Sequence, residues 1–288
     1  MRVKLGINPI GWSNDDLREL GGETPLETCL AETRLAGYDG IELGHKFPRD
    51  AKALRPILDA SGLALVSGWY STELLTRDAD AEIAAMQPHL ALLKAMGSGV
   101  LIAAECSNAV HDNRAIPLAD RPVLAAGDFA EFGRRMTLVA NAVAAAGLEL
   151  VYHHHMGTVV QTGAEIDALM AATGPSVRLL LDTGHATFGG VDPVALARRY
   201  RPRIGHVHCK DIRRAVMARV WAERLSFLDG VVAGVFTVPG DGMVDFPAVL
   251  AELPDYDRWL VVEAEQDPAV ANPLKYARMG REYLSRIA

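Results

Sequence analysis

The chain has 288 residues, half of them hydrophobic, and a formal net charge of −7. That is ample apolar material for one large core, and an acidic balance with no block of basic residues argues against nucleic acid or an anionic membrane as a partner. Three scattered cysteines (Cys29, Cys106, Cys209) exclude a disulfide framework, and no apolar run reaches the roughly 18 residues of a membrane span. A strand-like run follows the first residues with no cleavable leader, so a cytoplasmic protein is expected.

Taken in chain order, strands and helices alternate. Residues 3–7 read as a short apolar strand, and residues 25–36 as a helix with Thr24 as cap and Gly37 as stop. A strand at 40–43 precedes a helix at 50–60, closed by Ser61-Gly62. A strand at 63–67 precedes a helix at 79–96, closed by Gly97. After a strand at 100–104 comes a loop of about twenty residues carrying Glu105, Asn108, His111 and Asp112, and loops of that length are usually functional or mobile. An alanine-rich helix at 129–146 stops at Gly147. Strands at 148–152, 177–181 and 204–208 then alternate with helices at 164–172 and 193–200. Residues 212–229 read as one helix, Pro239-Gly240-Asp241-Gly242 as a turn, and 246–252 as a short helix. A last strand at 259–262 and a helix at 272–287 complete the chain.

Eight strand–helix units with continuously apolar strands predict an α/β fold. The sheet is parallel, buried on both faces and closed into a single (β/α)8 TIM barrel, with one domain over residues 1–288. No glycine-rich dinucleotide fingerprint follows the first strand, where Asn8-Pro9-Ile10-Gly11-Trp12 stands instead, and no phosphate loop is present.

In such a barrel, sites lie at the carboxyl ends of the strands. Four successive strands end in metal-ligand types: His153-His154-His155, Asp182 with His185, His206 with His208, and Glu263 with Glu265. Side chains alternate across a strand, so His153 points with His155, His206 with His208 and Glu263 with Glu265, while Cys209 turns away. His153, Asp182, His208 and Glu263 form a mixed oxygen and nitrogen set. It suits Mn, Co, Fe, Ni or Zn better than calcium, and is unlike a closed structural zinc site. Asp182 also stands where it could simply cap the next helix.

The strings Leu181-Asp182-Thr183-Gly184-His185 and His206-Val207-His208-Cys209-Lys210-Asp211 resemble the xylose-isomerase-like barrel superfamily. Tyr152 to Thr158, Val238 to Gly242, Val262 to Pro268 and the opening Gly6 to Asp16 narrow the resemblance to the inosose dehydratase family, over essentially the whole chain. The resemblance implies a lyase that removes water from 2-keto-myo-inositol in inositol catabolism, giving a trihydroxycyclohexane-1,2-dione. It also implies a cobalt or manganese ion and an association with glutathione. The superfamily usually ligates through a strand-five glutamate, a strand-six aspartate, a strand-seven histidine and a strand-eight glutamate. Asp182, His208 and Glu263 match the last three, but His153 stands where the glutamate is usual. Glu149 lies near the start of that strand, at the wrong end of the barrel.

A cyclic polyol ketone loses water by removal of a proton next to the carbonyl and expulsion of the β-hydroxyl, which calls for a base and an acid beside the ion. Candidate proton carriers are Glu42, Glu105, His185, Lys210 and Glu265, with Lys210 expected to touch substrate because it shares a face with His208. His155, Trp12, Trp69, Glu265 and Asp241 are candidate substrate contacts, the tryptophans by stacking on the ring and Asp241 by reaching over the pocket from its turn. A ketose isomerase or epimerase is the rival enzyme on the same barrel. A metal-dependent abasic-site nuclease conflicts with the acidic balance. A polyol-binding regulatory barrel is the non-enzymatic alternative, and exposed barrel helices leave a homo-oligomer open.

Overall fold

The computed structural model describes residues 3–288. Eight parallel strands close on themselves: β1 (Lys4–Ile7), β2 (Gly40–Leu43), β3 (Ala64–Thr72), β4 (Val100–Glu105), β5 (Glu149–His153), β6 (Val177–Asp182), β7 (Ile204–Cys209) and, after a two-strand excursion, β10 (Trp259–Val262). Neighbours follow chain order, and the barrel is sealed by β1 beside β10, where Leu5 pairs with Leu260 and Ile7 with Val262. The predicted (β/α)8 TIM barrel is therefore the observed fold.

The main helices of the outer ring are α1 (Leu26–Ala36), α2 (Ala51–Ser61), α3 (Ala79–Met96), α4 (Phe129–Ala145), α5 (Gly163–Ala172), α7 (Pro193–Tyr200), α10 (Phe246–Ala251) and α11 (Pro273–Ile287). Their ends are chemically marked. Asp50, Asp78, Asp245 and Asn272 accept from the third backbone N–H of their helices, and α5 opens on a reciprocal Thr162–Glu165 capping box. Thr24 does not cap α1; Pro25 holds that position without a side-chain bond.

Burial falls into three layers. Outward side chains such as Leu101, Leu150, Leu179 and Leu260 meet Phe132, Met136, Ile166 and Leu169 of the helices in the main core, each contributing about 1.5–3 kcal/mol. Val100, Ile102, Val151 and Leu180, with Trp69 against them, fill the barrel interior. Gly40 is tiny for a reason: a Cβ there would lie 2.7 Å from Val66 Cγ2 and 2.9 Å from the Trp259 ring.

A third cluster roofs the carboxyl end of the barrel with Leu17, Leu118, Met156, Phe188, Phe227 and Phe236, among others. It uses α6 (Thr183–Phe188), of which the Asp182 cap was the sequence's one sign, and an antiparallel ribbon of β8 (Asp211–Ile212) with β9 (Phe236–Thr237), which was not anticipated from the sequence. The single helix expected over 212–229 is two, α8 (Arg214–Ala222) and α9 (Phe227–Val232). The chain breaks because Arg224 takes a left-handed φ of 52° and Ser226 starts a new helix by accepting from Asp229 N at 3.1 Å. No helix among the described residues is long and apolar enough to cross a membrane.

Candidate active site and metal centre

Strand parity builds the site. Val151 and Leu180 face the barrel interior, so His153 and Asp182, two residues on, face it too, at the carboxyl end. Asp182 pairs directly with His208, and Val261 pairs with His208 on the other side, which delivers Glu263 to the same point. One donor atom from each of His153, Asp182, His208 and Glu263 lies within 4.8 Å of the others, and all four residues are buried.

The hydrogen bonds around these residues aim their lone pairs inward. His153 Nδ1 donates to the His154 carbonyl at 2.8 Å, leaving Nε2 facing Asp182 Oδ2 at 3.5 Å. His208 Nε2 donates to Glu42 Oε1 at 3.1 Å, leaving Nδ1 at 3.5 Å from Asp182 Oδ2 and in contact with Glu263 Oε2. Asp182 Oδ2, His208 Nδ1 and Glu263 Oε2 are buried atoms with no hydrogen-bond partner among the described residues. An ion about 2.1 Å from each donor holds adjacent donors roughly 3–3.5 Å apart, close to the separations of Asp182 Oδ2 from His153 Nε2 and from His208 Nδ1. The electrostatics agree. Burial alone would push the His208 ring down, but Glu263 and Glu42 hold it well above the usual histidine value, and the cluster thus favours positive charge at its centre. The residues fit a divalent cation.

Glu42 serves this arrangement rather than proton transfer. Its carboxylate accepts from Asn8 Nδ2 (2.8 Å), Ser67 Oγ (2.5 Å), His206 Nε2 (2.9 Å) and His208 Nε2, so its acceptor capacity is full. Burial opposes its charge, yet His208 and the bond from His206 keep it well below the ordinary glutamate value. It fixes the His208 tautomer. Glu42→Gln is expected to weaken binding of a divalent ion such as Mn2+ about 10–100-fold without unfolding the chain. Calorimetric titration checks this, and unchanged affinity would leave Glu42 an ordinary core contact.

The Asp-Thr-Gly-His string now has a physical account. Asp182 Oδ1 caps α6 through the His185 N–H at 2.7 Å, leaving Oδ2 for the centre. Thr183 Oγ1 donates to the Lys210 carbonyl (2.7 Å) and latches the end of β7. Gly184 lets the lysine pass: a Cβ there would lie 2.6 Å from Lys210 Cγ. His185 Nε2 then meets Lys210 Nζ at 3.0 Å.

Lys210 does not touch the pocket, contrary to expectation. It is fully buried, its ammonium 2.8 Å from Glu263 Oε1, 2.7 Å from Glu265 Oε1 and 4.5 Å from the Phe236 ring centre. Its three donors are spent on Glu263, Glu265 and His185. The cluster His155, His185 and Glu265 also has ligand-like spacing, but the ammonium already sits among its donors, which argues against a second cation there. His185 stacks behind His155 with ring centres 3.9 Å apart and is not a pocket wall.

The cavity at the carboxyl end of the barrel measures about 70 Å3. His153, His208, Glu263, Glu265, His155 and Trp69 line it, with Asn8, Asp15, Asp16 and Glu42 on further walls. His155 Nδ1 donates to the Met156 carbonyl (2.8 Å), and burial together with His111 and His153 holds the ring well below the usual histidine value; a neutral His155 then has its Nε2 lone pair to offer. Trp69 packs edge-on against His153 and His155, with ring centres 5.5 and 5.6 Å away. Glu265 Oε2 is buried without a partner, and burial raises this carboxyl above its ordinary value despite Lys210.

Three further expectations are corrected. Glu105 is not a pocket wall, because it accepts from Thr72 Oγ1 (2.9 Å), Leu74 N (2.8 Å) and Ser107 N (3.0 Å) and pins its own loop. Trp12 packs in the core with Nε1 donating to Glu32 at 2.6 Å. Asp241 is held by Arg213 Nη2 (2.8 Å) and Thr237 Oγ1 (2.6 Å) within the turn. That turn is organised by Asp211, which accepts the N–H groups of Gly240, Gly242 and Val244. Glu149, as expected, lies at the far end of the barrel, paired with Arg258 and 3.6 Å from Arg178. Asn8, Asp15 and Asp16 were not singled out as site residues, although the Asp15-Asp16 pair after the first strand carried a usable signal; His206 was grouped with His208 but given no role of its own.

Comparison with known proteins gives a consistent result. The xylose isomerase-like TIM barrel family profile matches residues 30–287. The chain is 51% identical over 290 residues to the rhizopine catabolism protein MocC of Rhizobium meliloti, covering all of this chain and 89% of that one. It is 45% identical over 287 residues to the inosose dehydratase of Geobacillus thermodenitrificans, covering 98% and 96%. Among solved structures, a probable 3-DHS dehydratase from Bacillus anthracis superposes with a TM-score of 0.70 at 17% identity, covering 98% of each chain, a likeness of fold.

Proposed function

The chain belongs to the xylose isomerase-like TIM barrel family, in the group that holds the inosose dehydratases, and we propose that it is a hydro-lyase removing water from inosose. The observation that carries this reading is the convergence of His153, Asp182, His208 and Glu263 beside a pocket walled by His155, Trp69 and Glu265. Mn2+ or Co2+ is the proposed ion, held by those four residues. When bound it supplies Lewis acidity toward the ketone oxygen, worth several kcal/mol of charge stabilisation.

The protein's own groups supply the rest. Glu265 Oε2 takes the proton next to the carbonyl, while Lys210 grips Oε1 and fixes the carboxylate's direction. A positioned base of this kind contributes about 10²–10⁴ in rate. His155 Nε2 accepts from a ring hydroxyl, and the Trp69 edge bounds the cyclitol. The roof formed by Phe227, Phe236 and Met156 limits water on that side. Lys210 and Glu42 act through the residues they hold and are positioning residues.

Metal-stripped protein given inosose with each divalent ion in turn tests the proposal. Growth of diketone absorbance with Mn2+ or Co2+ is expected, and omission of glutathione in the same assay tests the dependence implied by resemblance. A ketohexose that epimerises while inosose stays intact would overturn the dehydratase reading in favour of the isomerase or epimerase. The higher identity to the rhizopine catabolism protein favours a second setting for the same chemistry. Growth of a disrupted strain on myo-inositol and on rhizopine separates the two. We further place the protein in the reduced cytoplasm, where its three free cysteines are stable, and treat the whole chain as one domain. Sedimentation analysis tests for the homo-oligomer.

A further inference from the structure

The elimination needs an acid for the departing hydroxyl, and neither Lys210 nor Glu105 is placed to serve. Five carboxylates line the pocket: Asp15, Asp16, Glu42, Glu263 and Glu265. Four are engaged. Asp15 Oδ1 meets the His45 ring at 2.5 Å and the His45 N–H at 3.2 Å, Glu42 is saturated, and Glu263 and Glu265 share the Lys210 ammonium. Among the described residues, no donor hydrogen-bonds to either oxygen of Asp16.

Asp16 is nonetheless placed with care. Asn14, fully buried, accepts the N–H groups of Asp16 (2.8 Å) and Leu17 (2.7 Å), and Leu17 anchors into the roof cluster. This fixes the turn after β1 and sets the Asp16 carboxyl at the pocket mouth, its side chain 26% exposed. His111 from the loop after β4 stands beyond hydrogen-bond range at 3.9 Å, its ring 5.0 Å from that of His155.

We infer that Asp16 is the catalytic acid of the elimination, delivering its proton to the β-hydroxyl of the cyclic ketone; this rests on the dehydratase reading above. Glu265 gains the α-proton as the new carbon–carbon double bond forms. The carbon–oxygen bond breaks with its electron pair on oxygen, the Asp16 O–H bond breaks toward that oxygen, and water leaves. The product is the enol of the diketone, Asp16 is left as carboxylate, and solvent exchange resets both groups; no oxidant or reductant takes part. Desolvation, followed by Glu265, Asp15 and Asp112, pushes the Asp16 carboxyl up to about 8, the direction a proton donor needs.

The test uses Mn2+-loaded Asp16→Asn and two substrates, inosose and its analogue with fluorine in place of the departing hydroxyl. Fluoride leaves without protonation. The expected result is a fall in kcat of about 10²–10⁴ on inosose, with fluoride release within a few-fold of the wild-type rate. Bound Mn2+ per chain, measured alongside, reports an intact centre. Equal losses on both substrates would overturn the assignment and make Asp16 a binding or structural residue. Wild-type kcat on inosose would overturn it outright, whereas wild-type protein that leaves inosose intact removes the dehydratase reading and this assignment together.

Discussion

Asp182→Asn is expected to lose its bound Mn2+ on dialysis and to turn over inosose about 10³-fold more slowly or worse, with the barrel still folded. The two oxygens of Asp182 do different work. Oδ1 caps α6 through the His185 N–H, and an asparagine carbonyl can accept that same bond. Oδ2 is buried, unpartnered and 3.5 Å from both His153 Nε2 and His208 Nδ1. There the substitution puts an NH2 group, which donates where a ligand must accept. The charge is lost as well: burial would raise this carboxyl, but Lys210 and His185, with the His153 and His208 rings close by, hold it well below the ordinary aspartate value. Lewis acidity worth several kcal/mol is forfeited with the ion, and each 1.36 kcal/mol is a factor of ten in rate. Metal analysis after dialysis, circular dichroism and the diketone assay read the three parts separately. Full metal occupancy in the variant would remove Asp182 from the proposed ligand set.

The cluster was legible in part because strand parity is local: once residues 204–208 read as a strand, His206 and His208 face one way together, as do Glu263 and Glu265 beyond the last strand. Register between strands was not legible, yet parallel closure makes it nearly automatic at the carboxyl rim, as the Asp182–His208 pairing illustrates. What failed depended on distance in the chain. Lys210 shares a face with His208, but nothing local says that Glu263 and Glu265, more than fifty residues later, consume its donors. Glu105 looked like a rim acid because the turn at Leu74 and Ser107 that occupies it is made by another loop and by its own backbone. Asp241 drew attention to a turn whose organiser is Asp211, the last residue of the His-x-His-x-Lys-Asp string. The β8–β9 ribbon has only two residues per strand, too short to carry a period-two signal.

Lys210→Met separates holding from catalysis. Methionine keeps most of the stem, so the packing against Gly184 survives while the charge and its contact with the Phe236 ring go. The carboxylates of Glu263 and Glu265 are left buried without their shared cation, and breaking a buried pair costs about 3–5 kcal/mol. In metal-free protein that predicts a Tm lower by roughly 6–15 °C for a chain of this size. Metal binding is expected to move the other way. Nζ lies 2.8 Å from Glu263 Oε1 and 3.9 Å from Asp182 Oδ2, so the ammonium repels any ion those carboxylates would share. Two unit charges 4 Å apart at an effective dielectric of 20 interact by about 4 kcal/mol, and a third of that is already tenfold in affinity. Mn2+ is therefore expected to bind the variant at least about tenfold more tightly and to restore much of the lost Tm. Turnover should still fall by about 10²–10⁴, because Glu265 loses the contact that directs its free oxygen. Tighter metal with slower chemistry is a combination that simple disruption of the core does not produce. Weaker Mn2+ binding alongside the lower Tm would mean that Lys210 only holds the barrel together.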